Sequence, residues 1–97
     1  MTQEITIKLY TDPGHGWAAV KVAVAKELGF LAKVSHYSYI KGKTIYLEED
    51  GDLSLYCNAI RESGNTFKFE SKHTDARHPI RSYKSATQEN ILNALYS

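Results

Sequence analysis

A strict alternation of apolar and polar residues runs from Glu4 to Tyr10, in which every second side chain is aliphatic: Ile5, Ile7 and Leu9. Because successive side chains of a β-strand point to opposite faces, this pattern predicts a strand with one buried face. A turn is predicted next, since Pro13 fixes its own φ and Gly14 accepts a positive φ.

Two patterns overlap between residues 16 and 31. Residues 17–22 alternate as a short strand would, but four aliphatic residues also recur at helical spacing: Val20, Val24, Leu28 and Leu31. We expect a short strand over residues 15–20 that runs into a helix over residues 21–28. Gly29 follows at the position where a helix takes its C-terminal cap.

A β-hairpin is predicted over residues 37–48, because aromatic and β-branched residues flank a short turn at Gly42. If Ile45 and Leu47 take the buried face of this hairpin, Tyr46 points outward. An outward tyrosine in such a position is a candidate contact residue for a partner.

The second half of the chain predicts a helix, a strand, a loop and a terminal helix. The first helix covers residues 52–63 and has one apolar stripe: Leu53, Tyr56 and Ile60. Alternation then predicts a strand over residues 66–72 with its two phenylalanines inward. Residues 73–83 contain a proline and mixed polar residues, which predict a loop that leads into a short extended piece. A capping-box pattern that begins at Ser85 precedes a short helix over residues 86–96.

This order of elements predicts an α+β fold, with a small, mostly antiparallel sheet of four to five strands and two or three helices packed on one face. The 97 residues fit a single domain, residues 1–97, because a chain of this length has no room for a second core. Residues 85–97 form a terminal helix in this prediction and can lie at the periphery of the domain.

Charge is balanced over the whole chain but unevenly distributed along it. The formal net charge is +1. An acidic run at residues 48–52 is followed by a basic segment, residues 68–84, with five cationic side chains: Lys68, Lys72, Arg77, Arg81 and Lys84. Two solvated loops of opposite sign explain this pattern as well as a basic binding edge does. Negative charge just before the helix at residues 52–63 also stabilises a helix N-terminus.

Cys57 is the only cysteine, so no internal disulfide can form, and the apolar residues around it predict a buried thiol. No apolar stretch of a signal peptide follows the polar residues 1–4, and no run approaches the roughly 20 apolar residues of a membrane-spanning helix. We therefore expect a cytoplasmic location and no membrane partner.

The spacing of His73, Asp75 and His78 combines residue types that ligate metals and exchange protons. It suggests a small hydrolase or a nucleotide-handling enzyme, although a loop beside a proline is a poor frame for catalytic ligands. The alternative is structural, with Asp75 capping a turn by accepting backbone N–H bonds. We assign no metal and no cofactor, because the sequence has no phosphate-loop, dinucleotide or calcium-loop pattern. The sequence contains no catalytic signature, which favours a protein that is not an enzyme, but catalytic groups converge in space rather than in sequence, so the enzyme hypothesis stays open.

Seven tyrosines are the most unusual compositional feature, and tyrosine is favoured in protein contacts because it covers area at low entropic cost. Trp17, the only tryptophan, is either a core anchor or an interface residue. The candidate binding residues come from both halves of the chain: Trp17, Tyr46, Lys72, His73, Asp75, Arg77, His78, Arg81 and Tyr83.

Three segments carry a family resemblance. They are His-Gly-Trp at residues 15–17, the run from Ser38 to Asp50, and residues 73–83 with His-Thr-Asp at their start and Ile-Arg-Ser-Tyr at their end. Together they resemble small uncharacterised proteins of tailed bacteriophages and prophages, and the similarity extends over residues 9–84. The resemblance implies a phage protein acting in the cytoplasm of a bacterial host, and it implies no chemistry.

Three functional hypotheses follow. The first is a non-enzymatic phage accessory protein that binds a bacterial host or defence macromolecule, in the first instance a protein, and blocks or redirects it. The second is a nucleic-acid-binding module in which the basic segment contacts phosphates and Tyr83 or His73 stacks on bases. The third is the enzyme centred on His73, Asp75 and His78. A homodimer is compatible with all three, because further burial stabilises a small domain.

Overall fold

A computed structural model describes residues 2–96, which form one six-stranded sheet and three α-helices. The strands are β1 (Glu4–Thr11), β2 (Gly16–Lys21), β3 (Tyr39–Lys41), β4 (Thr44–Glu48), β5 (Thr66–His73) and β6 (Lys84–Ser85). The helices are α1 (Val22–Glu27), α2 (Leu53–Glu62) and α3 (Gln88–Tyr96). Two 3₁₀-helical turns, Leu31–Lys33 and Pro79–Ser82, lie in the connections.

The predicted α+β class is confirmed, but the sheet has six strands rather than four to five. The additional strand is β6, whose two residues pair with Tyr39 and Ile40 of β3. It follows the loop that the sequence predicted to lead into a short extended piece. Two residues are too few to show alternation, however, so the pairing with β3 is what establishes this piece as a strand. The ambiguous segment forms a strand and a helix as expected, because β2 ends at Lys21 and α1 begins at Val22.

The strands lie in the order β5-β1-β2-β4-β3-β6. All neighbouring pairs are antiparallel except β1 and β5, which run parallel from the pair Glu4–Thr66 to the pair Thr11–His73. In this order β5 and β6 occupy opposite edges of the sheet, although only residues 74–83 separate them in sequence. The connection between them must therefore pass over the sheet.

All three helices cover the same face of the sheet, which we call the inner face. Its buried strand residues are aliphatic: Ile7, Ala18, Val20, Ile40, Ile45 and Leu47. Ile60 of α2 and Ile91 of α3 are fully buried on the other side of this core. Cys57 is buried in the same core, as the sequence predicted. The alternation along β1 and β4 thus produces one hydrophobic layer between sheet and helices.

The two phenylalanines of β5 are less buried than the alternation of this strand predicted. Phe67 and Phe69 lie on the inner face, since they pair with Ile5 and Ile7. Phe67 is only half-buried, however, and Phe69 keeps 46% of its surface exposed. Arg61 of α2 covers part of Phe67, and its guanidinium carbon lies 4.9 Å from the centroid of the Phe67 ring. A strand at the edge of a sheet is less covered than the central strands, whatever its alternation.

A buried carboxylate holds the connection between α1 and β3 against the start of α2. One oxygen of Asp52 accepts hydrogen bonds from the amide and the hydroxyl of Ser35, each at 2.8 Å, and from the hydroxyl of Ser38 at 2.5 Å. Ser38 is fully buried, and its oxygen also accepts the amide of Glu48 at 3.0 Å. Asp52 stands at the N-terminus of α2, as the acidic run predicted, but its side chain makes no capping bond there.

The capping pattern before α3 differs from the predicted one. Thr87 caps the helix by accepting the amide of Asn90 at 3.1 Å. The side chain of Gln88 donates to the carbonyl of Val34 at 3.3 Å instead of closing a capping box with Ser85. The helix consequently begins at Gln88 rather than at residue 86.

We expect Asp52→Ala to lower the free energy of unfolding by about 3 kcal/mol, because hydrogen bonds to a charged group contribute about 1.5–3 kcal/mol and the buried Ser38 hydroxyl would lose its acceptor. The matched control is Asp50→Ala, at an exposed position of the same acidic run. It should change the free energy by less than about 0.5 kcal/mol. Urea unfolding followed by circular dichroism measures both variants, and equal effects would show that the charge of the run matters rather than these hydrogen bonds.

Candidate binding face

The face of the sheet opposite the helices, which we call the outer face, is only partly covered. Residues 74–83, here the crossing segment, connect β5 at one edge to β6 at the other. They cross on the outer face, because His78 and Arg81 contact the ring of Trp17. Trp17 stands opposite Tyr10 in the β1–β2 ladder, on the side away from the helices.

Asp12 fixes the crossing segment to the turn between β1 and β2. Its buried carboxylate accepts a bidentate pair of hydrogen bonds from Arg81, at 2.7 Å from Nε and 2.8 Å from Nη2. The amides of Gly14 and His15 donate to one carboxylate oxygen and the amide of His78 to the other, each at 3.0 Å. Both oxygens are therefore fully engaged, which is the condition under which a charge can be buried.

This environment holds the pKa of Asp12 well below its usual value of about 3.9. The hydrogen bonds from Arg81 are the largest cause. Burial opposes them, and the backbone amides around the carboxylate lower the pKa further. The same contact with Asp12 raises the pKa of Arg81. Asp12 is thus ionised throughout the physiological range and acts as an anchor rather than as an acid.

Gly14 leaves the space that Arg81 needs in order to reach Asp12. A Cβ at this position would lie 2.7 Å from Nη2 of Arg81, which the hydrogen bonds to Asp12 hold in place. The positive φ that the turn pattern predicted for Gly14 is not present. In the described part of the chain, the glycines with positive φ are Gly29, Gly42 and Gly64. Glycine is needed in the Asp-Pro-Gly turn because the arginine approaches so closely.

Trp17 is the centre of a small second core on the outer face. Four side chains surround its ring: His15, Tyr39, His78 and Arg81. The ring centroids of the first three lie 6.0, 6.2 and 6.1 Å from the centroid of the Trp17 ring, in that order. The guanidinium carbon of Arg81 lies 5.6 Å from the same centroid. Trp17 is 1% exposed, as is Ile80 of the crossing segment, and neither belongs to the main core cluster. This burial supports the core role of Trp17, one of the two roles that the sequence left open.

Three tyrosines lie side by side on the outer face, and we call Tyr10, Tyr46 and Tyr83 the tyrosine row. The ring centroids of Tyr10 and Tyr46 are 6.3 Å apart, and those of Tyr46 and Tyr83 are 5.3 Å apart. All three side chains are half-buried, so that neighbouring rings restrain each other while part of each surface stays open. Lys41 places its ammonium nitrogen 4.7 Å from the centroid of Tyr83. The pKa of Tyr46 is raised, mainly by burial, so its hydroxyl stays protonated and can donate a hydrogen bond.

A shallow groove of about 350 Å³ adjoins the tyrosine row on the outer face. Tyr10 and Tyr46 line it together with Lys8 and Lys21. Ala19 lies between Lys8 and Tyr46 on neighbouring strands, and its small side chain leaves space that the larger residues border. Aromatic and cationic groups therefore line the same depression.

The structure does not assemble His73, Asp75 and His78 into one site. His73 and Asp75 meet, with Nε2 3.2 Å from a carboxylate oxygen, but both are exposed. His78 packs instead on Tyr10, with ring centroids 5.5 Å apart, and its Nδ1 accepts the amide of Ile80 at 3.1 Å. In the part of the chain that the structure describes, no three His, Cys, Asp or Glu side chains could hold a metal ion together.

The turn after β5 is also built differently from the structural alternative that the sequence suggested. Thr74, and not Asp75, accepts the amide of Ala76 in this turn, at 3.4 Å. His73 Nδ1 lies 2.8 Å from the hydroxyl of Thr11, which ties the end of β5 to β1. Thr74 and His73 thus contribute to the local structure at the end of β5.

The basic segment does not form one patch. Lys68 and Lys72 lie on β5 at one edge of the sheet, and Lys84 lies on β6 at the opposite edge. Arg81 is already paired with a buried carboxylate, and Arg77 is exposed in the crossing segment. Cations that are close in sequence are therefore separated by the width of the sheet.

The sequence patterns did not identify Asp12, Tyr10 or Lys8 as residues of this face. An aspartate before Pro-Gly is typical of any turn, and its arginine partner lies 69 positions away. Tyr10 and Lys8 did carry a signal, since their alternation in the first strand put them on its polar side. That they join Tyr46 on one surface depends on the order of the strands.

Comparison with known proteins adds no relative from which a function could be transferred. No protein-family model matches the chain, and no curated protein and no solved structure is significantly similar to it. Among residues 2–96, no helix is long and apolar enough to cross a membrane.

We expect Asp12→Asn to loosen the crossing segment, because an amide cannot satisfy both arginine donors as a carboxylate does. Trp17 is the only tryptophan, so its fluorescence reports on this site alone. Its emission should shift to the red and become more sensitive to acrylamide, and the Tm should fall. Asp75→Asn, which changes an exposed carboxylate of the crossing segment, is the control and should alter neither signal. Unchanged Trp17 emission in Asp12→Asn would show that the anchor is dispensable.

Acid should weaken the same anchor. Because the pKa of Asp12 is lower in the folded than in the unfolded chain, its stabilisation is complete above roughly pH 4 and is lost as the pH falls below that value. The Tm of the wild type should therefore decrease more steeply with acidification than that of Asp12→Asn. Parallel curves for the two proteins would contradict this assignment.

Proposed function

We propose that this chain is a non-enzymatic accessory protein of a bacteriophage that binds a bacterial host or defence protein and blocks or redirects it. The contact surface in this proposal is the tyrosine row with its adjoining groove. One observation carries it: three half-buried tyrosines, held in mutual contact, lie on a sheet face that no α-helix of residues 2–96 covers.

Preorganisation favours binding through these rings. Tyr46 lies between Tyr10 and Tyr83, so its ring is restrained before any partner arrives. Tyr83 follows directly on the 3₁₀ turn Pro79–Ser82, which the anchor at Asp12 holds. Side chains that are already restrained lose little entropy when a partner covers them, and tyrosine is enriched among the residues that dominate binding energy.

The charges around the row favour a protein surface of mixed but mainly acidic character. Lys8 and Lys21 line the groove and Lys41 lies on Tyr83, so acidic groups of a partner would be attracted. Glu70 stands opposite Lys8 in the β1–β5 ladder and lowers the positive charge at that end. A continuous phosphate backbone would meet this carboxylate, which is one reason to prefer protein to nucleic acid. The division of the basic segment between two edges is another.

Two further observations support a non-enzymatic role. His78 accepts a hydrogen bond from the amide of Ile80 and packs on aromatic rings, so it does not join His73 and Asp75 in one site. Burial is the main cause that raises the pKa of the Cys57 thiol, which keeps this group protonated and unreactive.

The bacteriophage setting, and with it a place in the bacterial cytoplasm, is supported by the resemblance of residues 15–17, 38–50 and 73–83 to phage proteins. Each of these segments contributes a side chain to the outer face. Trp17 lies in the second core, and Tyr46 and Tyr83 belong to the tyrosine row.

The test begins with tagged protein as bait in a nuclease-treated bacterial lysate, followed by identification of the captured protein and titration calorimetry with that protein purified. Tyr46→Ala and Tyr83→Ala should each weaken the affinity by about ten-fold or more, as truncation of a dominant contact residue does. The matched control is Tyr96→Ala, which removes a tyrosine of α3 that is 75% exposed. It should leave the affinity unchanged, and circular dichroism verifies that all variants are folded.

Other outcomes would redirect the proposal. Capture that disappears on nuclease treatment would favour nucleic acid as the partner. A partner whose affinity is equally insensitive to Tyr46→Ala and Tyr96→Ala would remove the tyrosine row as the contact surface, although it would leave a binding function in place.

A further inference from the structure

β5 leaves one edge of the sheet unpaired over its full length of eight residues. Among residues 2–96, its only strand partner is β1. Seven of its residues are exposed, the exception being the half-buried Phe67. The strand contains neither proline nor glycine. A long, regular and accessible edge of this kind is a template for pairing with another strand.

The pairing with β1 determines which backbone groups face this free edge. The amide of Thr66 donates to Gln3 at 2.9 Å, and the amide of Thr74 donates to Thr11 at 3.0 Å. Even-numbered residues of β5 therefore direct their N–H and C=O groups towards β1. The odd-numbered residues direct theirs to the free side: Phe67, Phe69, Ser71 and His73.

We propose that the free edge pairs with β5 of a second copy of this chain, antiparallel and centred on Phe69. In this register the outward N–H and C=O groups of Phe69 meet those of Phe69 in the second copy. Those of Phe67 and Ser71 meet each other in the same way, which gives about six backbone hydrogen bonds. Side chains that stand opposite each other share a face, so the two Phe69 rings become a cross-strand aromatic pair.

Charge complementarity and the length of the paired segment favour this register. Centred on Phe69, the dimer places Lys68 of each copy opposite Glu70 of the other, in the pairs whose Cα atoms are closest, about 4.5 Å apart. Centred on Lys68, it would place the two copies of that lysine opposite each other. Centred on Glu70, it would oppose the two copies of that glutamate and place each Lys68 against Lys72. Like charges directly opposite are destabilising, which disfavours both of these registers. A register centred on Ser71 also avoids like charges, but it pairs only residues 69–73 of β5, whereas the Phe69 register pairs residues 66–72.

The ion pair that Lys68 makes within its own chain does not prevent this contact. Its ammonium lies 3.5 Å from Glu4, but the two side chains are 61% and 57% exposed. Pairs of this kind contribute little to stability because water screens them. Lys68 can therefore turn to Glu70 of the second copy at small cost.

This dimer is independent of the proposed function and adds to it. The two-fold axis passes through the sheet at Phe69, perpendicular to it, so one continuous sheet carries both sets of helices on one side. Both tyrosine rows then lie on the other side, facing the same direction. A partner with two binding sites could engage both rows at once, and avidity would strengthen its capture.

Charge reversal across the edge tests the dimer and its register together. Lys68→Glu and Glu70→Lys should each raise the dimer dissociation constant by about ten-fold or more, since two favourable pairs become repulsive. An equimolar mixture of the two variants should dimerise again, because every glutamate then meets a lysine. Lys72→Glu is the matched control on the same face of β5, and it should change little because Thr66 stands opposite. Sedimentation velocity over a wide range of protein concentration measures all four samples.

Ser71→Pro tests the backbone contacts separately. The amide of Ser71 faces the free edge, so proline removes no hydrogen bond to β1 and is tolerated at such a position, but it should abolish the dimer. A wild-type chain that stays monomeric at the highest concentration would overturn the proposal. So would a dimer that survives both Ser71→Pro and the single charge reversals, since it would use another surface. Neither result would bear on the contact at the tyrosine row, which is measured by partner affinity.

Discussion

The buried pair between Asp12 and Arg81 is the interaction on which the outer face depends. Because β5 and β6 lie on opposite edges of the sheet, the crossing segment must span its width with only one 3₁₀ turn of its own. Asp12 holds the segment in place, because its carboxylate accepts two hydrogen bonds from Arg81 and one from the amide of His78. A buried charge that lost its partner would be strongly destabilising. The segment is therefore held closed over Trp17, and Tyr83 at its end is fixed beside Tyr46.

The two faces of the sheet are stabilised in different ways. The inner face follows the hydrophobic effect, with aliphatic strands against three helices and a continuous core. The outer face combines a small aromatic core with a polar anchor, and it leaves a row of tyrosines partly open. Asp52 repeats the anchoring principle elsewhere, where it binds Ser35 and Ser38 and ties a connection to the start of α2. In both places one carboxylate joins segments that are far apart in sequence.

The surfaces that we assign to interaction are oriented at right angles to each other. The tyrosine row faces away from the plane of the sheet, whereas the free edge of β5 lies in that plane. Occupation of one does not obstruct the other, which is why an assembly through β5 would present two rows rather than bury them. A chain of 97 residues buries a limited share of its surface, and extending the sheet adds buried area without changing either face.

The sequence by itself determined the elements whose signal is local. The alternation of β1, the outward position of Tyr46 and the helix-ending glycines Gly29 and Gly64 all follow from the geometry of a few neighbouring residues. Only the tertiary structure decided which segments meet. It paired Asp12 with Arg81, separated Lys72 from Lys84, drew His78 away from His73 and left Phe69 exposed on an edge. The physical reason is that periodicity records which face of an element is buried, whereas these contacts depend on the order of strands in the sheet, and no local pattern carries that order.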